Sequence, residues 1–191
     1  MRELRGLSRL DEIARRVLLA WDEAYEGAQQ EKFDDVPLVH VVKTIELPER
    51  IVTLEEYEDV KTEIEAASQA PEHYRRIAWH SDVLKRFERQ QAGDIKPYTM
   101  ELHALRLGDV AIATNDFELF TQFGIQMKAK SKGLHTFVIQ LAGPGTYIPT
   151  PIAAAGGGYS AVVQSNVVGA EGGQVLVDET VAALNELWPA N

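Results

Sequence analysis

The stretch "YTMELHALRLGDVAIATN", residues 98 to 115, places the strongest constraint on how this chain can fold. Two runs of alternating apolar residues flank Gly108 and Asp109, and such a pair is typical of the tight turn that joins antiparallel strands. The segments "VPLVHVVKTIEL" (36 to 47) and "HTFVIQLAG" (135 to 143) predict two more strands. The sequence therefore predicts a fold built around a β-sheet.

Helical patterns lie between and around these strands. Apolar residues recur at alternating intervals of three and four from Leu7 to Ala28, which predicts a helix with one stripe facing a core; coiled-coil pairing is the alternative. Thr53 followed by Glu56 forms a capping box that starts a second helix. Further helices are predicted from about residue 71 to 91 and in the closing segment "GGQVLVDETVAALNELW".

Strands that alternate with helices predict a mixed α/β fold in layers, with a mixed sheet covered by helices. The chain has 191 residues, of which 45% are hydrophobic, and this is ordinary for one globular domain with a substantial core. We therefore expect a single domain, residues 1–191. Within it, residues 1–97 are predicted to be helical with one strand, and residues 98–191 carry the candidate site.

The composition disfavours several classes of function. The formal net charge of −10 argues against a broad contact with nucleic acid, whose phosphates require a clustered positive surface. Because the chain contains no cysteine, it has neither a disulfide nor a thiolate ligand or nucleophile. Charged residues interrupt the apolar runs at the N-terminus, and no run approaches the roughly 20 apolar residues of a membrane span. We therefore expect a soluble, unexported chain without a transmembrane segment.

Histidines are the side chains best suited to metal binding or base catalysis at neutral pH. His40, His103 and His135 fall in predicted strands, where we interpret them as structural. His73 and His80 share a predicted helix, but residues at this spacing are roughly 10 Å apart along the axis, so one metal ion could not easily reach both. The sequence has neither an HExxH motif nor a G-x-S-x-G nucleophile elbow.

The glycine-rich stretch "GPGTYIPTPIAAAGGGYSA", residues 143 to 161, is open to three interpretations: a phosphate cradle, a flexible linker and the wall of a pocket. It matches neither the P-loop nor the dinucleotide-binding glycine pattern, so a phosphate cradle is disfavoured, and composition alone favours a linker. Upstream, in "TNDFELF", Asn115 followed by Glu118 predicts a helix N-cap with a carboxylate in the first turn. Taken alone, this structural role is a sufficient explanation of Glu118.

Four segments from Tyr98 onward together resemble the neutral/alkaline (non-lysosomal) ceramidase family, and especially its bacterial ceramidase-like members of unassigned substrate. They are "LRLGDVAIATNDFELF", "GIQMKAKSKGLHTFVIQLAG", "GTYIPTPIAAAGGGYSA" and "EGGQVLVDETVAALNELW". Their order and spacing are similar to the C-terminal half of that family's catalytic domain, and roughly half of this chain is covered well. The resemblance implies a zinc-dependent amidase that cleaves the N-acyl bond of ceramide.

The resemblance also implies roles for three residues. Glu118 and Tyr147 match zinc ligands of the family, and Tyr159 matches a tyrosine that donates a hydrogen bond to the developing oxyanion. Zinc accepts oxygen ligands at about 2.0–2.2 Å and lowers the pKa of bound water to about 7, so it can generate a hydroxide that attacks an amide carbon. Gly156 to Gly158 are expected to let the backbone approach the site closely, where a Cβ would clash.

The same resemblance implies that the site is incomplete in this chain. The family's other two zinc ligands are histidines from the N-terminal half of its catalytic domain, and none of the histidines here lies in such a motif. We therefore expect the C-terminal portion of a ceramidase-like amidase that is inactive alone, needs a partner chain or the missing half, and acts on a lipid-like N-acyl amide. The alternative is a non-catalytic binding or assembly subunit that retains the fold.

Overall fold

A computed structural model describes residues 3–30, 32–68 and 74–189 of the chain. Its contacts form two compact units, Met1–Val36 and Pro37–Asn191. The mixed α/β class predicted from the sequence is confirmed, since helices pack on a mixed sheet in the second unit. Within the described ranges, no helix has both the length and the apolar content needed to cross a membrane.

The first unit consists of a 3₁₀ turn, Glu3–Arg5, and helix α1, Arg9–Ala28. A capping box fixes the start of α1, because the Ser8 hydroxyl accepts a hydrogen bond from the Asp11 N–H and the Asp11 carboxylate accepts one from the Ser8 N–H. The helix predicted from the apolar spacing is thus confirmed, and most of its apolar stripe is exposed. The exposed side chains of the stripe include Leu10, Val17 and Trp21.

The second unit contains a four-stranded mixed sheet and a separate two-stranded parallel pair. The strands are β1 (Leu38–Leu47), β2 (Tyr98–Leu107), β3 (Val110–Thr114), β4 (Glu118–Leu119), β5 (His135–Ile139) and β6 (Tyr147–Ile148). The larger sheet has the order β1-β2-β3-β5, in which β3 and β5 are parallel and the other neighbours antiparallel; β4 pairs with β6. The predicted turn between β2 and β3 is confirmed, and Gly108 there has a φ of +59°.

The second unit has five α-helices in its described residues. They are α2 (Leu54–Ala67), α3 (Tyr74–Gln91), α4 (Thr121–Lys130), α5 (Pro151–Gly156) and α6 (Ala170–Asn185). The short α5 lies in the glycine-rich stretch and was not predicted. The capping box of Thr53 and Glu56 is confirmed by reciprocal hydrogen bonds of 2.9 and 3.2 Å. The helix predicted from about residue 71 is observed from Tyr74, and His73 lies outside the described residues.

Helices α4 and α6 pack against one face of the larger sheet. Alternate residues of the strands point into this core, where Leu47, Leu102 and Leu184 are fully buried. The intervening residues, such as His40 and Val42, are exposed on the opposite face, because successive side chains of a strand point to opposite sides. A smaller apolar cluster joins α2 and α3 to the loop before α6. It contains Val52, Val60, Val83 and Val163.

Candidate functional site

The segment after Asn115 is extended, and the helix predicted at this point begins later. The Asn115 side chain accepts a hydrogen bond from the Phe117 N–H at 3.0 Å, which makes a local turn. The Glu118 N–H donates to the Thr146 carbonyl at 3.1 Å, and α4 starts only at Thr121. The prediction of an N-cap at Asn115 with Glu118 in the first helical turn is therefore wrong. Asparagine favours both a helix N-cap and a local turn. The pairing of β4 with β6, which is distant in the sequence, selects the turn here.

Pairing of β4 with β6 brings Glu118 beside Tyr147. The two residues are opposite each other in the parallel register. Hydrogen bonding to the Glu118 carboxylate is the largest cause of a raised pKa of Tyr147. Partial desolvation and the charge of Glu118 raise that pKa further, whereas a hydrogen bond with the Ser160 hydroxyl lowers it. The phenol is thus held in its protonated form against a carboxylate.

Tyr159 contacts Tyr147 from the loop that follows α5. The two rings meet edge to face, with 6.0 Å between their centroids. The ring of Trp79 also lies 6.0 Å from that of Tyr159. Tyr159 is nevertheless 69% exposed, so a bound molecule can reach its side chain. The structure therefore brings Glu118, Tyr147 and Tyr159 into one cluster.

Glycines shape the loop that carries Tyr159 through their backbone conformation, and not through the close approach that we expected from the sequence. Gly157 and Gly158 have φ of +70° and +101°, a backbone region that residues with a Cβ rarely adopt. Among the described residues, no neighbouring atom lies within 4 Å of the position that a Cβ would take on Gly156, Gly157 or Gly158. The expected close approach is therefore wrong, and backbone conformation is what requires glycine at two of these positions.

Asn166 is fully buried and ties together the two segments that carry the tyrosines. Its side-chain amide donates to the carbonyls of Tyr147 and Ser160, both at 3.0 Å. Its side-chain oxygen accepts a hydrogen bond from Arg50, which also donates to the Ala161 carbonyl. Because a buried polar group without a partner costs about 1–3 kcal/mol, this network strongly favours one arrangement of the two segments.

Arg86, buried on α3, holds the same loop. Its guanidinium donates to the carbonyls of Val163 and Asn166, both at 2.9 Å, and burial lowers its pKa from the usual value. Sequence reasoning missed both Arg86 and Asn166. The sequence signal for Arg86 is an arginine among the apolar residues Val83 and Phe87 of a predicted helix. A single asparagine in a loop, such as Asn166, gives no signal of burial in the sequence.

His80 lies next to the cluster through Trp79, whose ring it meets edge-on at 5.3 Å. Its Nδ1 is 3.2 Å from a carboxylate oxygen of Glu63 and 3.3 Å from the side-chain amide of Gln164. Burial lowers the pKa of His80, and this effect outweighs the opposing effect of Glu63. These contacts join α2, α3 and the loop after Tyr159, so a structural role explains why a histidine is buried at position 80.

Zinc accepts carboxylate and phenol oxygens as ligands, and the cluster contains one carboxylate, Glu118, beside Tyr147, which is not a complete set of ligands. Catalytic zinc usually has three protein ligands and a water molecule. Across the described residues, no group of three or more His, Asp or Glu side chains converges to hold a metal ion. His40, His103 and His135 lie on β1, β2 and β5. Glu118 and Tyr147 therefore fit a zinc ion only when further ligands come from outside the described part of the chain.

Two solved ceramidase structures are similar to this chain. Neutral ceramidase from Pseudomonas aeruginosa aligns with 88% of the chain at 18% sequence identity and a TM-score of 0.49. A ceramidase complexed with C2 aligns with 47% of it at 13% identity and a TM-score of 0.41. Neither a protein-family model nor a curated protein matches the sequence. The chain covers 32% of the first structure's chain and 15% of the second's, so it spans a third or less of either.

Proposed function

We propose that this chain is the C-terminal portion of a zinc-dependent, ceramidase-like amidase. In this proposal Glu118 and Tyr147 are zinc ligands, and Tyr159 donates a hydrogen bond to the substrate carbonyl oxygen. The observation that carries it is the convergence of one carboxylate with two phenols. Tyr147 is opposite Glu118 in the β4–β6 register, and the Tyr159 ring lies 6.0 Å from that of Tyr147. These are the residues to which the resemblance assigns roles.

The chemistry of the three side chains suits amide hydrolysis. Zinc, when bound, supplies a Lewis acid that activates water, and carboxylate and phenol oxygens are ligands that it accepts. A phenol hydroxyl is a hydrogen-bond donor, and a donor that is oriented in advance stabilises the oxyanion of a tetrahedral intermediate. The loop of Tyr159 is held by Asn166 and Arg86, and the Ser165 hydroxyl donates to the Tyr159 carbonyl at 2.6 Å. We infer that the substrate is a lipid-like N-acyl amide.

The chain is expected to be inactive alone. Two oxygen ligands, one of them a tyrosine whose pKa is raised above its ordinary value, hold zinc weakly at neutral pH. The remaining ligands then come from a partner chain or from a further segment that supplies histidines. Tight one-to-one zinc binding that Glu118→Gln abolishes, or hydrolysis of a short-chain ceramide by the chain alone, would contradict this incompleteness.

Complementation tests the proposal directly. The purified chain is mixed with the separately produced N-terminal half of a ceramidase-like protein, and hydrolysis of a short-chain ceramide is followed with and without zinc. We expect zinc-dependent hydrolysis that Glu118→Gln abolishes and Tyr159→Phe reduces. Tyr74→Phe is the matched control, because Tyr74 is an exposed tyrosine on α3. Hydrolysis at the wild-type rate by the Glu118→Gln variant would contradict the proposal.

The second candidate is a non-catalytic binding or assembly subunit. Its supporting observation is the exposed apolar stripe of α1, including Leu10, Val17 and Trp21, which is suited to contact another chain. The complementation experiment separates the two candidates. Stable association without hydrolysis favours the assembly subunit, and Val17→Asp would then weaken that association.

A further inference from the structure

Two histidines meet on the exposed face of the larger sheet, and the proposed amidase site uses neither. His40 Nε2 lies 3.0 Å from His103 Nδ1. The two rings lie nearly end to end, with 5.2 Å between their centroids and 19° between their planes, so the two nitrogens face each other. In the absence of metal, this contact is a hydrogen bond between two neutral imidazoles. When neither of the two nitrogens carries a proton, the same pair of nitrogens can bind one metal ion.

The register of the sheet imposes this meeting. His40 is opposite Leu105 and His103 is opposite Val42, so the histidines are diagonal neighbours on one face of the β1–β2 ladder. Diagonal cross-strand side chains of this size are within reach of each other. The ladder pairs all ten residues of β1 with β2. The backbone therefore brings the two imidazoles together without help from a flexible loop.

The separation of the two nitrogens places both within reach of one metal ion. Two nitrogens 3.0 Å apart are closer than the combined length of the two metal–nitrogen bonds, each of about 2.0–2.1 Å, that one ion would make, so rings that turn toward the ion can both bind it. Imidazole is a ligand that Cu²⁺, Ni²⁺ and Zn²⁺ all accept, and the affinity of such sites for divalent ions is highest for Cu²⁺.

The surroundings of His103 fit this use. A carboxylate oxygen of Glu101 lies 3.9 Å from His103 Nε2, the ring nitrogen that does not face His40. The negative charge of this carboxylate close to the histidine pair favours a bound cation.

We propose that His40 and His103 form a two-histidine site for a divalent transition-metal ion, with Cu²⁺ bound more tightly than Ni²⁺ or Zn²⁺. Each histidine supplies one nitrogen, and the remaining coordination positions are open to water or to a small anionic or nitrogenous ligand. The site is built by the sheet alone and does not depend on the amidase proposal.

Metal titration tests the site. The chain is purified without a histidine tag, and Cu²⁺, Ni²⁺ and Zn²⁺ are each titrated into it by calorimetry. His40→Ala and His103→Ala are each expected to weaken Cu²⁺ binding by roughly tenfold or more, since a chelate needs both ligands. His135→Ala is the matched control and should change nothing, because His135 is an exposed histidine of the same sheet. Equal Cu²⁺ affinity in His40→Ala and wild type overturns the proposal.

A second pair of measurements separates this site from the amidase cluster. Glu118→Gln should leave Cu²⁺ affinity unchanged, and the electron paramagnetic resonance spectrum of the Cu²⁺ form should show two nitrogen ligands that are lost in His40→Ala. If Glu118→Gln weakens Cu²⁺ binding and His40→Ala does not, the histidine site is overturned. Failure of the complementation experiment leaves the copper result standing, so the two proposals fail separately. Circular dichroism of each variant checks that the sheet is retained.

Discussion

Two tyrosine–carboxylate pairs, Tyr98–Asp116 and Tyr147–Glu118, use acids that are two residues apart in the sequence, and the surroundings of the two pairs differ. The Tyr98 hydroxyl donates to Asp116 at 2.9 Å, and Tyr147 is opposite Glu118 in the β4–β6 pair. Phe117, fully buried, stands between the two acids in the sequence. In both pairs the carboxylate raises the pKa of the phenol.

The difference lies in what encloses each pair. Burial is the largest cause of the raised pKa of Tyr98, which reaches about 12. The backbone of Gly143 lies so close to the Asp116 carboxylate that a Cβ there would overlap it. For Tyr147 the largest cause of the raised pKa is hydrogen bonding to Glu118, and hydrogen bonding to Ser160 opposes it. The first pair is a packed structural contact, whereas the second is an accessible cluster of oxygen atoms suited to a ligand.

The largest effect is expected from Phe117→Ala, which removes the buried side chain that lies between the two acids in the sequence and packs against Tyr98. Truncation of a fully buried phenylalanine costs about 3–5 kcal/mol in the free energy of unfolding, because a cavity remains. Urea unfolding measures the loss, and Phe137→Ala is the control because Phe137 is exposed. A loss no larger than that of the control would contradict the shared role of Phe117.

Gly143→Ala should disturb the packed pair selectively. Its new Cβ would overlap the Asp116 carboxylate, which Tyr98 holds in position, so we expect a loss of about 1–3 kcal/mol in stability. Gly156→Ala is the matched control, since none of the described neighbouring atoms lies within 4 Å of a Cβ there. If the two variants unfold at the same urea concentration, Gly143 is not needed for close packing.

Removal of Asp116 or Glu118 should lower the pKa of Tyr98 or Tyr147, respectively, by different amounts. In Asp116→Ala the pKa of Tyr98 should fall from about 12 but stay above 10, because burial remains. In Glu118→Ala the pKa of Tyr147 should return closer to its ordinary value, because its largest cause is gone. Phenolate absorbance near 295 nm measures both, with Tyr98→Phe and Tyr147→Phe identifying each transition. An unchanged pKa of Tyr147 in Glu118→Ala is the contradicting result.

The raised pKa of Tyr98 predicts how the free energy of unfolding changes at alkaline pH. Tyr98 has a higher pKa in the folded chain than in the unfolded chain, so its contribution to stability is full below about pH 10. That contribution is lost as the pH rises from about 10 to about 12. Tyr98→Phe should therefore flatten this part of the curve of unfolding free energy against pH.

The smallest effect on stability is expected from Tyr159→Phe. The side chain is 69% exposed and the substitution retains its ring, so the free energy of unfolding should change by less than about 0.5 kcal/mol. Urea unfolding of the chain alone checks this value. A loss well above this value would mean that the Tyr159 hydroxyl serves the fold, and would weaken its assignment as a donor to substrate.

Much of the secondary structure was predictable from local patterns. The strand over 36 to 47, the turn at Gly108 and the helix after Thr53 are confirmed because alternation, turn residues and capping boxes act over a few residues. The prediction failed at Asn115, where a helix cap and a local turn use the same residue types. A hydrogen bond from Glu118 to Thr146, far along the chain, decides that case.

The candidate site was predictable only in part. Glu118, Tyr147 and Tyr159 were identified through a resemblance to a family, and their roles remain predictions. The supporting residues Asn166 and Arg86 were missed, because a buried polar network is recognised by its partners and not by sequence spacing.

The sequence by itself determined the alternation of strands and helices, the absence of cysteine chemistry and the acidic net charge. Only the tertiary structure decided which oxygen atoms and imidazoles meet. Glu118 reaches Tyr147 through a parallel strand pair, and His40 reaches His103 through the register of a ladder. The physical reason is that apolar periodicity reports which face of an element is buried, whereas contacts between distant residues depend on how the elements pair.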